Sequence, residues 1–440
     1  MKIAVLVYSL DRIGGIAKHS LYVARELAAM GHQVKVWAVE YEKKLCYPEL
    51  TRGLEIQALR PAPPKAAAGQ RPPGIRMVAH IWSLWQFYQD QRRLCLAMPG
   101  GYDVVNAHGN TISWAAAAYK RQYGTPVVWL CNDFWPVASH RHEVVSNAWD
   151  KIKHFVKEGL CFPFDQYDQA AVHEIDKIAV LSEQVKSQMK EHYGVNSIVV
   201  RAGVDSLRFA HGDGQKVKAR YLVRDGTFLL LTVCVLMPRR RLEDVIRAMR
   251  MLVDEGRDVT YLVVGRTSVS PDYTQFVQAE VATCNLGERV QFVGEVSEDE
   301  LGDYYHACDA FVWAADENQS WGMAGMEAMA AGKPVIVSRA NGLAEALEDG
   351  QTALLIPPRS PEAIADAVKR LMKEPALANS IASEGQRLVR ERYSWRRHAE
   401  EMMALFHEAA GKQQGQDARD GGSLSVPMPG DCRRLWKVCR

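Results

Sequence analysis

One carboxylate, Glu327, interrupts an apolar run from Trp321 to Ala331. Burying a carboxylate is unfavourable unless something hydrogen-bonds it. Met323 and Glu327 are four residues apart and share one helix face near its N-terminal, positive end. Such an end attracts phosphate, and a carboxylate beside it can accept bonds from both hydroxyls of a ribose. A solvated glutamate at a helix edge is the plain alternative. The Gly, Trp and small residues around Glu327 favour the ligand reading. Ser320 is the expected N-cap, with helix over 321–331. Gly332 then supplies a left-handed C′ residue, Pro334 stops the helix, and Val335 to Val337 form a buried strand.

Other reactive side chains fall at the ends of apolar runs. His108 closes Val104-Val105-Asn106-Ala107-His108, and Asn132-Asp133 follows the run 127–130. Ligands of open α/β sheets bind beyond the carboxyl ends of strands, so these residues are placed for work. Gly14-Gly15 follows the first run, Lys2 to Tyr8, and opens a helix carrying Leu21, Ala24 and Leu27. It lacks the GxGxxG spacing of a dehydrogenase. Pro238-Arg239-Arg240-Arg241 lies between a strand and a helix, where cations can neutralise a diphosphate. Gly265-Arg266 and Glu295-Val296 end two further strands.

At 440 residues the chain suits two α/β domains. The expected division is 1–210 and 216–392, with a helix at 395–410 and a polar tail, 412–440, expected to be disordered. A net charge of +2 gives no argument for nucleic acid. Nine cysteines without a CxxC pair read as reduced thiols, and the expected place is the cytoplasm. Residues 60–74, rich in Pro, Ala and Gly, read as a loop. The helix expected from Ile75 to Met98 carries aromatics and arginines; it either covers the first sheet, the preferred reading, or touches the inner face of a membrane.

Glu327-Ala328-Met329-Ala330-Ala331-Gly332-Lys333-Pro334-Val335 resembles the signature of retaining glycosyltransferase family four. That resemblance implies the GT-B fold: two Rossmann-like, doubly wound domains facing across a cleft, with a C-terminal helix crossing back to the first. It covers about residues 1–410. In the family a second glutamate holds the donor ribose, and a first, eight residues earlier, contacts the transferred sugar. Glu327 matches the second; Gln319 stands at the first, with Glu317 two residues before it. Asn132-Asp133-Phe134-Trp135-Pro136 stands where the family often has HDxWP, and Arg240 and Val235 align with its lysine and arginine.

The resemblance thus implies catalytic roles for His108, Asn132, Asp133 and Gln319. It implies donor binding by Gly15, Arg240, Arg241, Gly265, Arg266, Val296, Glu317, Ser320, Trp321, Gly322, Met323 and Glu327. The expected donor is a UDP- or GDP-sugar, the acceptor a glycan, lipid-linked glycan or small molecule, and no metal or other cofactor is expected. A catalytically impaired nucleotide-sugar binder and a sugar-nucleotide epimerase on the same fold stay open as alternatives.

Overall fold

A computed structural model describes residues 1–10, 14–44, 46–62, 73–110, 112–134, 148–316 and 321–417. The polar tail beyond 417 and most of the loop at 60–74 lie outside these residues, as do Glu317, Gln319 and Ser320.

The first domain alternates strands and helices: β1 (Lys2–Leu10), α1 (Gly15–Ala29), β2 (Gln33–Tyr41), α2 (Pro48–Thr51), β3 (Glu55–Pro61), α3 (Pro73–Ala97), β4 (Val104–His108) and α4 (Ser113–Tyr123). It continues through β5 (Val127–Cys131), α5 (Ala148–His173), β6 (Lys177–Val180), α6 (Glu183–Tyr193) and β7 (Ile198–Val199). The second domain begins with α7 (Gly214–Arg220), β8 (Phe228–Val233), a single 3₁₀ turn at Pro238–Arg240, α8 (Leu242–Asp254), β9 (Val259–Val264) and α9 (Pro271–Thr283). Then come β10 (Val290–Gly294), α10 (Glu298–Ala307), β11 (Ala310–Trp313), α11 (Met323–Ala330), β12 (Val335–Ser338) and β13 (Leu354–Ile356). Helices α12 (Pro361–Lys373), α13 (Pro375–Arg392) and α14 (Trp395–Asp417) complete the chain.

Both sheets are parallel, with orders β3-β2-β1-β4-β5-β6-β7 and β10-β9-β8-β11-β12-β13. Their strands read as unbroken apolar runs because helices cover both faces, and β4, β5, β11 and β12 are buried along their whole length. Strand order reverses between β1 and β4 in one sheet and between β8 and β11 in the other. Those switch points are where loops diverge and leave a crevice.

Helix α14 returns to the first domain and lies on α1, β4 and β5. Trp395, at its start, stacks on Tyr22 of α1 at 4.8 Å between ring centroids. The helix runs past its expected end to Asp417. Helix α3 packs on β2, α4 and α5 through Leu84, Leu94 and other buried side chains, as a covering helix should, while Trp82 is exposed. No described helix is long and apolar enough to cross a membrane.

Candidate active site

The four loops at the two switch points meet. Gly15, after β1, abuts the start of α11: a Cβ there would stand 3.2 Å from Met323 Cε. Helix α11 starts later than expected, at Met323, and Gly322 is its N-cap without a side-chain cap bond. Its end is as expected, with Gly332 at φ +70°. The β8–α8 turn lies alongside, since Asp316 N–H donates to the Arg239 carbonyl at 3.1 Å. Arg240 stacks over the Trp313 ring at 4.8 Å. Burial, then Arg239, brings its guanidinium pKa down to about 10. Trp313 Nε1 would lie 3.3 Å from a Cβ on Gly322, and Asn341 Oδ1 3.4 Å from it. Among the described residues, Trp313 Nε1 and Asn341 Nδ2 are buried donors without a hydrogen-bond partner.

Glu327 is buried one turn deeper. Lys18 Nζ, from α1, donates to its Oε1 at 2.6 Å, and Tyr305 OH donates to Oε2 at 2.8 Å. Lys18 also reaches Glu298 Oε2 at 2.8 Å, and each of the three charged side chains is only 7% exposed. Burial pushes the Glu327 pKa up against the pull of Lys18. Burial opposes the Lys18 charge too, yet Glu327 and Glu298 outweigh it and hold that ammonium well above the ordinary lysine value. The carboxylate is therefore neither solvated nor idle. It is part of a clasp between the domains, and each oxygen has accepting capacity beyond the one bond it takes here.

On the first domain's side, Asp133 faces Arg239 across the cleft at 3.7 Å. Asn132 Nδ2 donates to His19 Nδ1 at 2.9 Å. His108 is wholly buried rather than open to the cleft; its Nε2 donates to Asn106 Oδ1 at 2.7 Å, and its ring lies 5.6 Å from that of His19. Burial, then His398, lowers its pKa to about 3, so it is a poor proton acceptor at neutral pH.

Arg241 does not join the cationic group expected of the triplet. Its φ of +54° turns it back onto its own helix, where it pairs with Glu243 at 2.7 Å and Asp244 at 2.9 Å. Gly265 sits at φ +137°, and a Cβ there would be 1.8 Å from the Cys234 carbonyl oxygen, so only glycine fits. Arg266 Nε donates to Glu295 at 2.8 Å, and Val296 packs half-buried against the core. Trp321 is buried under Arg201, whose guanidinium lies 5.7 Å from the ring centroid. Lys18, His19, Glu298, Tyr305 and His398 were not expected from sequence, whereas Arg239 was expected only as part of the basic turn. Only Lys18 carried a local signal, one turn beyond Gly14-Gly15 on the face those glycines leave open.

His19, His108 and His398 are all buried, and burial lowers each pKa: well below the ordinary value for His19, to about 3 for His108 and about 4 for His398. A depressed folded-state pKa means that the unfolded chain binds more protons below about pH 6.5. Stability is therefore full above that pH. It should fall as pH drops toward 4, by up to about 1.4 kcal/mol per pH unit for each histidine. A thermal melting point flat from pH 7 to 4.5 would contradict this.

Two family models match: Glycosyltransferase Family 4 over residues 13–208 and Glycosyl transferases group 1 over residues 213–388. The D-inositol 3-phosphate glycosyltransferase of Rhodococcus opacus is 28% identical over 352 residues, covering 78% of this chain and 74% of that protein. The structure of Anabaena HepE in complex with UDP and glucose superposes with a TM-score of 0.68 at 18% identity, covering 92% of this chain and 99% of that one. Sucrose-phosphate synthase from Thermosynechococcus elongatus gives a TM-score of 0.69 at 18% identity, covering 94% and 100%. These likenesses at low identity establish the two-domain GT-B architecture. With a model matched to each domain, the chain belongs to the group 1, family 4 glycosyltransferases.

Proposed function

We propose that this glycosyltransferase takes its sugar from a UDP-sugar and passes it, with retention of configuration and without a metal ion, to a hydroxyl-bearing acceptor such as a glycan or lipid-linked glycan. The donor lies on domain 216–392 and the acceptor on domain 1–210, on the cytoplasmic side. One observation carries the donor reading: the uncapped N-terminus of α11 faces Gly15 and lies beside Arg240. Helix N–H groups and a desolvated guanidinium make that place electropositive, which suits a leaving diphosphate. The unpartnered Trp313 and Asn341 donors add to the same preference for an acceptor-rich ligand.

Glu327 takes the ribose hydroxyls on its remaining lone pairs, with Lys18 and Tyr305 fixing the carboxylate. Asn132 and Asp133 face the sugar from the first domain. By the family resemblance, Gln319 takes the transferred sugar, and Glu317 and Ser320 take part in donor binding. UDP is preferred to GDP because the HepE structures hold UDP, UDP with glucose, or UDP-glucose.

The test is a thermal-shift panel of nucleotides and nucleotide-sugars, followed by product analysis on the best donor with and without EDTA. UDP and UDP-sugars should raise the melting point, since a ligand that binds only the folded state stabilises it. Turnover should survive the chelator. A shift with GDP-sugars alone, or activity restored only by added magnesium or manganese, contradicts the reading. UDP release that never depends on any acceptor favours a donor-binding hydrolase instead.

A further inference from the structure

Three hydrogen bonds in series join the crossing helix to the end of β5. His398 Nδ1 lies 2.9 Å from the Arg201 carbonyl, which can only accept, so Nδ1 carries the proton. His398 Nε2 is then a lone pair, and it faces His19 Nε2 at 2.9 Å. His19 must donate there, which leaves its Nδ1 as an acceptor. Asn132 Nδ2 supplies that donor at 2.9 Å. Each assignment follows from the one before, and the series runs in one sense only. A flipped Asn132 amide would set its oxygen against the His19 lone pair.

The series is sealed from water. His19 is 0% exposed, His398 1% and Asn132 6%. The groups around the two rings are His108 from β4, Asn132 after β5, Trp395 from α14 and the Arg201 carbonyl. Lys18 precedes His19 on α1 but turns toward Glu298 and Glu327. The Arg201 guanidinium turns to Trp321 and to Glu345, 3.5 Å away. A proton added to either ring would put two N–H donors face to face and break the series.

We propose that His19 and His398 are positioning residues for sugar transfer: they fix the Asn132 side chain in one orientation at the acceptor side of the cleft and so make helix α14 part of the catalytic arrangement. The proposal rests on the reading of Asn132 as a site residue. Asp133, next in the chain, reaches Arg239 of the other domain, so the end of β5 is tied to both the crossing helix and the donor domain. A shift of α14 that parts His398 from His19 breaks the bond that orients Asn132 from this side.

The test compares His398→Leu, His398→Gln and Asn132→Ala, with the double variant His398→Leu/Asn132→Ala. The readouts are kcat, donor KM, melting point and imidazole nitrogen NMR. Leucine removes both ring nitrogens, so kcat should fall by about tenfold to a hundredfold while donor KM stays within about twofold. Glutamine can accept from His19 and donate to the Arg201 carbonyl, so it should recover most of the rate. In the Asn132→Ala background the leucine should add no further loss, because there is nothing left to orient. The wild-type spectrum should show Nε2–H on His19 and Nδ1–H on His398, both neutral from pH 8 to 5.

Losses that multiply in the double variant overturn the proposal alone. A His398→Leu protein with a lowered melting point and unchanged kcat also overturns it, as does the opposite tautomer on either ring. Full activity in Asn132→Ala overturns the site reading of Asn132 and the proposal with it. If the leucine variant does not fold, the wild-type spectrum and the glutamine variant still decide.

Discussion

Lys18→Met is expected to lower stability by about 3–5 kcal/mol at neutral pH, the usual consequence of removing one partner from a buried ion pair. For domains of this size that is a fall of roughly 10 °C in melting point. Lys18 is the cation between Glu298 and Glu327, at 2.8 and 2.6 Å, and methionine would leave both carboxylates buried and facing each other. In the native protein the Lys18 contribution is complete below the ordinary lysine pKa of about 10.4 and fades only as pH climbs through the raised folded value. In the variant the sign reverses for the carboxyls. Burial already raises the Glu327 pKa and Lys18 opposes it, so without Lys18 that carboxyl should rise further, the folded state should bind more protons, and the deficit should shrink as pH falls toward 5. Glu327→Gln in the Lys18→Met background should recover part of the loss, because one of the two facing charges is gone. Melting points of the variants at pH 5 and 8 check this. A Lys18→Met protein within about 1 kcal/mol of native at both values would mean that the interdomain clasp does not hold in solution.

The clasp also marks where sequence reading stopped. Glu327 was legible because a carboxylate in an apolar helix, followed by Gly332 and Pro334, has few explanations. The strand ends at His108 and Asn132 were legible because parallel strands buried on both faces read as plain apolar runs. What holds Glu327 was not legible, since Lys18 lies 309 residues away in the chain and meets it only after both domains fold and close. The His19–His398 bond spans 379 residues and has no local pattern at all. Arg241 failed for a different reason. Three arginines in a row look alike, but the left-handed backbone at Arg241 separates it from Arg240, and Glu243 and Asp244, two and three residues on, claim it. Helix α5 holds Pro163 inside it, a residue that locally opposes helix, so packing rather than local pattern sets this element. The start of α11 was misplaced by two residues because Gly322 closes in against Trp313, Leu343 and Asn341, a tertiary demand that cap propensity does not see.

Arg240→Met is expected to weaken UDP by about tenfold to a hundredfold while leaving uridine within about twofold. Methionine keeps an unbranched side chain over the Trp313 ring, 4.8 Å from the present guanidinium, and removes only the charge and its donors. Hydrogen bonds to charged groups contribute about 1.5–3 kcal/mol, and each 1.4 kcal/mol is a factor of ten in affinity. The native guanidinium is half-buried against the Trp313 ring, and burial, then Arg239, lowers its pKa to about 10, so part of the penalty for stripping its water is met before the ligand arrives. A diphosphate then gains the attraction without a matching new desolvation of the protein. Arg241→Ala is the control from the same triplet. Its guanidinium is committed to Glu243 and Asp244, so UDP affinity should be unchanged even though the α8 start loses an ion pair. Arg240→Lys should fall between, because an ammonium keeps the charge but not the planar fork. Calorimetric titration of each variant with UDP and with uridine decides the matter. Equal losses for the two ligands would make Arg240 a packing residue of the Trp313 face, and an Arg241→Ala loss as large as that of Arg240→Met would return the triplet to a diffuse basic patch.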